Sequence, residues 1–284
     1  MKILLTGSTG QVGYELARSL QGLGEVVAVD RAQMDLADLD QVRDVIRRVR
    51  PGLIVNPAAY TAVDKAESEP ELAYRINAEA PAVMAAEAKT LGAALIHYST
   101  DYVFAGDVEQ ARVETDATGP LNVYGASKLA GEQAIAAAGI DHLIFRTSWV
   151  YGMRGKNFLL TMLKLARERD ELRIVNDQHG APTWSRTIAD TTALMLAHAQ
   201  AGGTDWWRDH GGIYHLSSQG RTTWFEFTEA IIAAAQLDCR LVPIASAEYP
   251  VPARRPQYSV LSSARLQRFC HVPHWREALQ LCLS

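Results

Sequence analysis

Tyr124 and Lys128 stand four residues apart in Tyr124-Gly125-Ala126-Ser127-Lys128, a spacing that puts a phenol and an ammonium on one helical face. A free phenol has a pKa of about 10, and a neighbouring ammonium favours the phenolate, which brings proton transfer toward physiological pH. By itself this pair is also the pattern of a solvated helix surface. Its upstream context argues for chemistry. The run His97-Tyr98-Ser99-Thr100-Asp101-Tyr102 ends in hydroxyl residues, with Thr100 24 positions before Tyr124. Thr100 would donate a hydrogen bond to the carbonyl oxygen that Tyr124 protonates. Another apolar run ends in the same way at Asn56-Pro57-Ala58-Ala59.

A second cluster suits phosphate. Thr6-Gly7-Ser8-Thr9-Gly10-Gln11-Val12-Gly13 follows the first apolar run and opens a helical pattern. Glycines at positions 7, 10 and 13 allow a tight turn and close approach of backbone to a pyrophosphate, whose charge is met by helix N-terminal N–H groups. Three glycines alone are weak evidence; their place at a strand-to-helix junction makes dinucleotide binding the expected reading. Asp30 follows Gly13 by 17 residues, near the roughly 20 expected of a carboxylate on the adenosine ribose. Arg31 comes next and suits a 2′-phosphate instead. The two signals conflict, so use of both NADH and NADPH is expected. Asp35-Leu36 would flank the adenine, with helix capping by Asp35 the equal alternative.

These residues need elements to position them. Ile3–Thr6, Val26–Asp30, Leu53–Asn56, Ala94–Ser99 and His142–Thr147 read as strands that turn polar at their C-terminal ends. Val12–Leu20, Leu39–Arg50, Pro70–Leu91 and Tyr124–Ala138 between them have helical spacing. The alternation predicts an α/β fold, a Rossmann-type doubly wound parallel sheet with right-handed crossovers. Ligands then sit beyond the carboxyl ends of the strands. Further on, Asn157–Arg169, Ile188–Ala201 and Phe225–Gln236 read as helices, Leu172–Val175 and Ile213–Leu216 as strands, Gly202-Gly203-Thr204 as a turn and Pro243–Pro256 as an irregular stretch. The expected division is a dinucleotide-binding domain over 1–147, with 171–216 adding to it. A smaller, discontinuous C-terminal substrate-binding lobe would comprise 148–170 and 217–284.

Composition bounds the function. The chain has 284 residues, 28 Lys+Arg against 32 Asp+Glu, and a net charge of −4. No basic excess is available for a nucleic-acid partner. No apolar run approaches the roughly 18 residues of a membrane span, and the N-terminus lacks a signal-peptide pattern. Cys239, Cys270 and Cys282 have neither framework nor zinc spacing, and a cytoplasmic location is expected.

With those segments in view, the whole chain resembles the extended, nucleotide-sugar-modifying branch of the short-chain dehydrogenase/reductase superfamily. Within that branch it is most similar to the dTDP-4-dehydrorhamnose reductase family. The resemblance rests on Leu4-Leu5-Thr6-Gly7 with Gly10-Gln11-Val12-Gly13, Val55–Glu67, Tyr98–Phe104, Leu121–Gly125 and Phe145–Tyr151. It implies reduction of the 4-keto group of dTDP-4-dehydro-L-rhamnose to dTDP-L-rhamnose with a nicotinamide cofactor. Tyr124 would be the proton donor, and Lys128 would hold the nicotinamide ribose and tune Tyr124. Thr100 and Asp101 would bind the sugar, with Trp149 packed on it. Gly10, Gln11 and Val12 would lie on the pyrophosphate, Asp30 on the adenosine ribose, and Ala59, Tyr60 and Thr61 along the cofactor. Asn77 would support a proton-relay water, unless it is simply a helix-surface residue. Arg255 suits the nucleotide diphosphate through bidentate bonds, or is one of a surface arginine pair, and Asn157 would contact phosphate.

The resemblance also brings a departure. The resemblance implies that some members of the family hold Mg²⁺ at a dimer interface with glutamates, one at the position of Glu15, which this chain keeps. Here Trp184-Ser185-Arg186 stands where another acidic ligand belongs. A guanidinium cannot ligate a hard cation, so Mg²⁺-bridged homodimerisation is doubtful. His271-Val272-Pro273-His274 lacks the helical context of a metal site, and His97 reads as a structural histidine. Trp206-Trp207 fits either a loop clasp or a partner patch. Two other functions compete. A sugar epimerase or dehydratase would need an acid/base pair after Thr100, where this chain has Asp101-Tyr102. A non-catalytic regulatory subunit would not need Thr100, Tyr124 and Lys128 together.

Overall fold

The computed structural model describes all 284 residues. Its first half alternates strand and helix: β1 (Lys2–Leu5), α1 (Gln11–Ser19), β2 (Glu25–Ala28), α2 (Leu39–Val49), β3 (Leu53–Asn56), α3 (Val63–Ala66) and α4 (Pro70–Tyr74). A π-helical turn, Arg75–Glu79, joins α4 to α5 (Ala80–Leu91), which is followed by β4 (Ala94–Thr100), α6 (Val123–Ala137) and β5 (His142–Thr147). These strands and Gly212–His215 form one six-stranded sheet, parallel throughout. From one edge the order is β2, β1, β3, β4, β5 and then Gly212–His215, so the chain reverses direction between β1 and β3. A crevice opens at such a switch point.

Both faces of the sheet are buried, which is why its strands read as continuous apolar runs. Alternation assigns each residue its side. Ile3, Leu5, Leu53, Val55, Leu143 and Phe145 pack with α1 and with α8 (Ser185–His210). Leu4, Ile54, Leu95 and Ile144 pack with α2 and α5. The second face also buries charge: Arg146 of β5 and Glu132 of α6 form a bidentate pair at 2.7–3.3 Å, with side chains 3% and 2% exposed.

A separate core gathers α7 (Phe158–Glu168), α9 (Trp224–Ala234) and α10 (Trp275–Leu283) around Leu163, Phe227 and Trp275. Glu171–Val175, expected with the dinucleotide domain, pairs in parallel with Arg240–Ile244 and sends Leu172 and Ile174 into this second core. The stretch expected to be irregular over Pro243–Pro256 therefore begins inside a strand. Helix α8 continues past the expected stop to His210, but Gly203, at φ +60°, kinks it where the turn was expected. Trp206 beyond the kink is 8% exposed and packs edge-on with Trp207, His210 and Phe269. The tryptophan pair is part of the core, not a partner patch. No helix is long and apolar enough to cross a membrane.

The Glu132–Arg146 pair generates a stability prediction. Glu132→Ala should cost about 3–5 kcal/mol, because it strands a buried guanidinium. A double Glu132→Leu/Arg146→Met replacement should recover most of that loss in urea unfolding; equal losses in both variants would contradict this account.

Candidate active site

The loop after β1 turns at Gly7, whose φ of +56° favours glycine. A Cβ at Gly13 would stand 2.1 Å from the Gly7 carbonyl oxygen, so turn and helix can approach only without a side chain there. Helix α1 has no side-chain N-cap, and its first turn begins with Tyr14 N–H donating to Gly10. The amides of Gln11, Val12 and Gly13 are thus left for an anion at the helix terminus.

That turn opens into a cavity of about 500 Å³ running along the carboxyl edge of the sheet. Gly7, Gly10, Gln11, Val12 and Gly13 line it. Arg31, Asp35 and Leu36 after β2, Ala59 and Thr61 after β3, and Tyr124 and Lys128 of α6 line it as well. Twelve of the fourteen residues expected at the cofactor meet on this one cavity. The exceptions are Asp30 and Tyr60. Asp30 exchanges hydrogen bonds with Gln33, its carboxylate accepting from the Gln33 amide. Arg31 does reach the cavity, with Asp35 3.3 Å from its Nε. The Asp35 backbone is held by Gln41, and Asp38 caps α2, so capping does not explain Asp35. Tyr60 donates its hydroxyl to Glu69 at 2.8 Å, and both its backbone groups are held by Asn77.

Asn77 corrects the surface reading: it is 1% exposed within the π-helical turn. Its amide accepts from Tyr60 N–H at 2.9 Å and donates to the Tyr60 carbonyl and to Ser127 Oγ, both at 3.0 Å. Ser127 in turn donates to the Tyr124 carbonyl at 2.8 Å. The side chain thereby ties the Tyr60 loop to the Tyr124–Lys128 helix. The fit needs Gly131, where a Cβ would lie 2.1 Å from the Asn77 carbonyl oxygen.

Thr100 and Asp101 lie just outside the cavity at the end of β4, 5% and 3% exposed. Thr100 Oγ1 donates to Asp101 Oδ1 at 3.0 Å, and Ser148 Oγ donates to Oδ2 at 3.1 Å. Burial raises the Asp101 carboxyl to about 6 despite the hydrogen bonds of Ser259, Thr100 and Ser148 that pull it down. Burial also pushes the Tyr124 phenol up, with Thr100 close enough to draw it partly back and Asp101 and Tyr102 adding to the rise. Lys128 is itself brought down to about 8 by burial, against a smaller upward pull from Glu132.

Three expected substrate contacts have other partners. Trp149 adopts φ +47°, a left-handed conformation costly for a tryptophan. Its ring stacks on Trp224 with centroids 3.5 Å apart and planes 6° apart, and its edge fills the space at Gly180. Asn157 caps α7 through Leu160 N–H and donates to Gln11 Oε1 at 2.9 Å, clasping the glycine turn to the second lobe. Arg255 donates to Asp64 Oδ2 at 2.7 Å and Tyr102 Oη at 3.3 Å, so it is no free surface arginine. The site also holds residues that the sequence reading passed over. Ser99, Thr147, Gly155 and Lys156 line the cavity, and Lys156 brings a cation from an aperiodic loop. At the opposite corner, the position expected to lack a metal ligand carries Arg186, 3.5 Å from Asp190.

Comparisons with known proteins agree with this geometry. The family model described as RmlD substrate binding domain matches residues 1–284. A dTDP-4-dehydrorhamnose reductase of Burkholderia thailandensis is 51% identical over all of this chain and 98% of its own length. The enzyme of that name from Escherichia coli K12 is 47% identical, covering 100% of this chain and 97% of its own. The crystal structure of dTDP-4-dehydrorhamnose reductase from Bacillus anthracis in complex with NADP superimposes with a TM-score of 0.92 at 36% identity, covering 99% and 98% of the two chains. The UDP-glucose 4-epimerase of Thermus thermophilus, at 22% identity and a TM-score of 0.82, shares the fold. With a full-length family match and relatives this close along the entire chain, the protein belongs to the dTDP-4-dehydrorhamnose reductase family.

Proposed function

We propose that this chain reduces the 4-keto group of dTDP-4-dehydro-L-rhamnose to give dTDP-L-rhamnose, using NADPH or NADH. One observation carries the reading: Tyr124 and Lys128 line the same cavity as a capless helix terminus behind three glycines. The cavity suits a nicotinamide dinucleotide. Gln11, Val12 and Gly13 amides would hold the pyrophosphate, Lys156 would add charge, Ala59 and Thr61 would flank the chain of the cofactor, and Lys128 would hold the nicotinamide ribose. When bound, the nicotinamide supplies hydride to the carbonyl carbon.

The residues supply the proton and the orientation. Reduction calls for an acid, and a phenol whose pKa is raised by burial keeps its proton throughout the neutral range. Tyr124 donates that proton to the keto oxygen as negative charge develops there, and Thr100 contributes a second hydrogen bond to the same oxygen by turning its one hydroxyl proton away from Asp101. Asp101, tied to Thr100 and Ser148, accepts hydrogen bonds from sugar hydroxyls in its ionised form. Trp149 offers its ring system to the hexose from a fixed, stacked position. Arg255 faces the diphosphate only by exchanging part of its bond to Asp64.

Three outcomes follow. Tyr124→Phe should fold normally and lose at least about a hundredfold in kcat; near-normal turnover would refute the acid assignment. The pH profile of kcat/KM should be bell-shaped. Activity should rise through about 6 as Asp101 ionises and fall through about 8 as Lys128 loses its proton. A profile flat from 5 to 9 would exclude both assignments. Arg31→Ala should lower kcat/KM for NADPH at least about tenfold, a loss of roughly 1.4 kcal/mol, and leave NADH within about threefold; parallel losses would remove Arg31 from 2′-phosphate recognition.

A further inference from the structure

Three adjacent strands present one polar residue each at the same level on the same face. Thr6 follows β1, Asn56 ends β3, and His97 lies in β4 in register with Asn56. All three are buried, at 1%, 1% and 0% exposure. Thr6 Oγ1 is 2.6 Å from Asn56 Oδ1, Asn56 Nδ2 is 3.1 Å from His97 Nδ1, and His97 Nε2 is 3.1 Å from Lys128 Nζ. The row links the cavity's ammonium to the residue immediately before Gly7.

Donor counting constrains this row. An ammonium has three donors and no acceptor, so while Lys128 is charged His97 Nε2 must accept. A neutral ring then carries its proton on Nδ1, which must donate to an oxygen. With Asn56 oriented NH₂-first toward the ring, Nδ1 must accept and the proton sits on Nε2, facing Lys128. That arrangement suits only an amine at Lys128. Turning the Asn56 amide by 180° restores every bond for the charged state: Lys128 Nζ to Nε2, Nδ1 to Asn56 Oδ1, and Asn56 Nδ2 to Thr6 Oγ1. Amide orientation is set by such networks.

We propose that His97 is a positioning residue that binds the Lys128 ammonium through Nε2 as its Nδ1–H tautomer, so that the charge on Lys128 and the orientation of Asn56 and Thr6 are coupled. Burial and the Lys128 charge both hold His97 well below its ordinary pKa, which keeps the ring neutral and available as an acceptor. The other groups around Lys128 do not take this place. Glu132, one turn on, is held by Arg146; Tyr124, one turn back, is an uncharged donor; and Asp101 at the end of β4 is bound by Thr100 and Ser148. This extends the functional reading, since the value of a charged Lys128 comes from its proposed role at the cofactor.

The test has two arms on the full chain. Nitrogen-15 NMR of histidine-labelled protein at pH 6.5, with His97 assigned by its loss in His97→Gln, should show a protonated Nδ1 and an unprotonated Nε2. A proton on Nε2, or on both nitrogens, overturns the proposal, and this arm does not depend on turnover. In the second arm, His97→Leu should move the alkaline limb of kcat/KM down by about one pH unit, a tenfold loss of proton affinity. His97→Gln, which keeps an acceptor near Nζ, should return it to within about 0.3 unit. Superimposable profiles for native and folded His97→Leu protein overturn the proposal; if that variant does not fold, the NMR arm decides. An inactive native enzyme would instead count against the functional reading.

Discussion

A buried ammonium with no carboxylate of its own is the constraint around which this fold is arranged. Lys128 is 2% exposed, and the nearest acid, Glu132, is committed to Arg146. Burying a cation is costly unless it is hydrogen-bonded. Here the compensation comes from a neutral acceptor, His97, set in the central strands and backed by Asn56 and Thr6. Burial brings its pKa down to about 8, against a smaller upward pull from Glu132. A lysine brought into this range can exchange protons near neutrality, where one held by a carboxylate would stay charged.

The same economy governs the rest of the cavity. A parallel sheet with both faces covered delivers the carboxyl ends of β1, β3, β4 and β5 to one edge, with a polar residue at or just past each end: Thr6, Asn56, Thr100 and Thr147. The glycines remove side chains where the turn after β1 and the start of α1 approach each other. The second lobe contributes through few, specific ties. Asn157 reaches Gln11, Arg255 reaches Asp64, and Asn122 Nδ2 donates to the Arg254 carbonyl at 2.8 Å. These bonds join residues 132–191 positions apart in the chain.

Sequence reading served where physics is local. Strands buried on both faces are continuous apolar runs, and the five expected in the first half coincide with the observed ones to within a residue or two. The glycine turn and the Tyr124–Lys128 helix were equally legible, because strand-to-helix junctions and four-residue spacing are short-range patterns. What was lost is non-local. The π-helical turn at Asn77 inserts a residue's worth of rotation into a helix without disturbing its composition, so the asparagine's burial against Gly131 had no sequence signature. His97 reads as any core histidine until register sets it between Asn56 and Lys128. Arg255 looks like a surface arginine because its partner is 191 positions away. Lys156 sits in an aperiodic loop that only tertiary docking carries to the cavity.

The central claim is direct: hydride arrives at the hexose carbonyl carbon while Tyr124 supplies the proton. It is tested by turnover of dTDP-4-dehydro-L-rhamnose with NADPH deuterated at both C4 positions of the nicotinamide, followed by mass spectrometry and NMR of the sugar nucleotide. The account predicts dTDP-L-rhamnose carrying one deuterium at hexose C4 for each NADPH oxidised. A product without deuterium at C4, or oxidation of NADPH with the keto sugar unchanged, would contradict it.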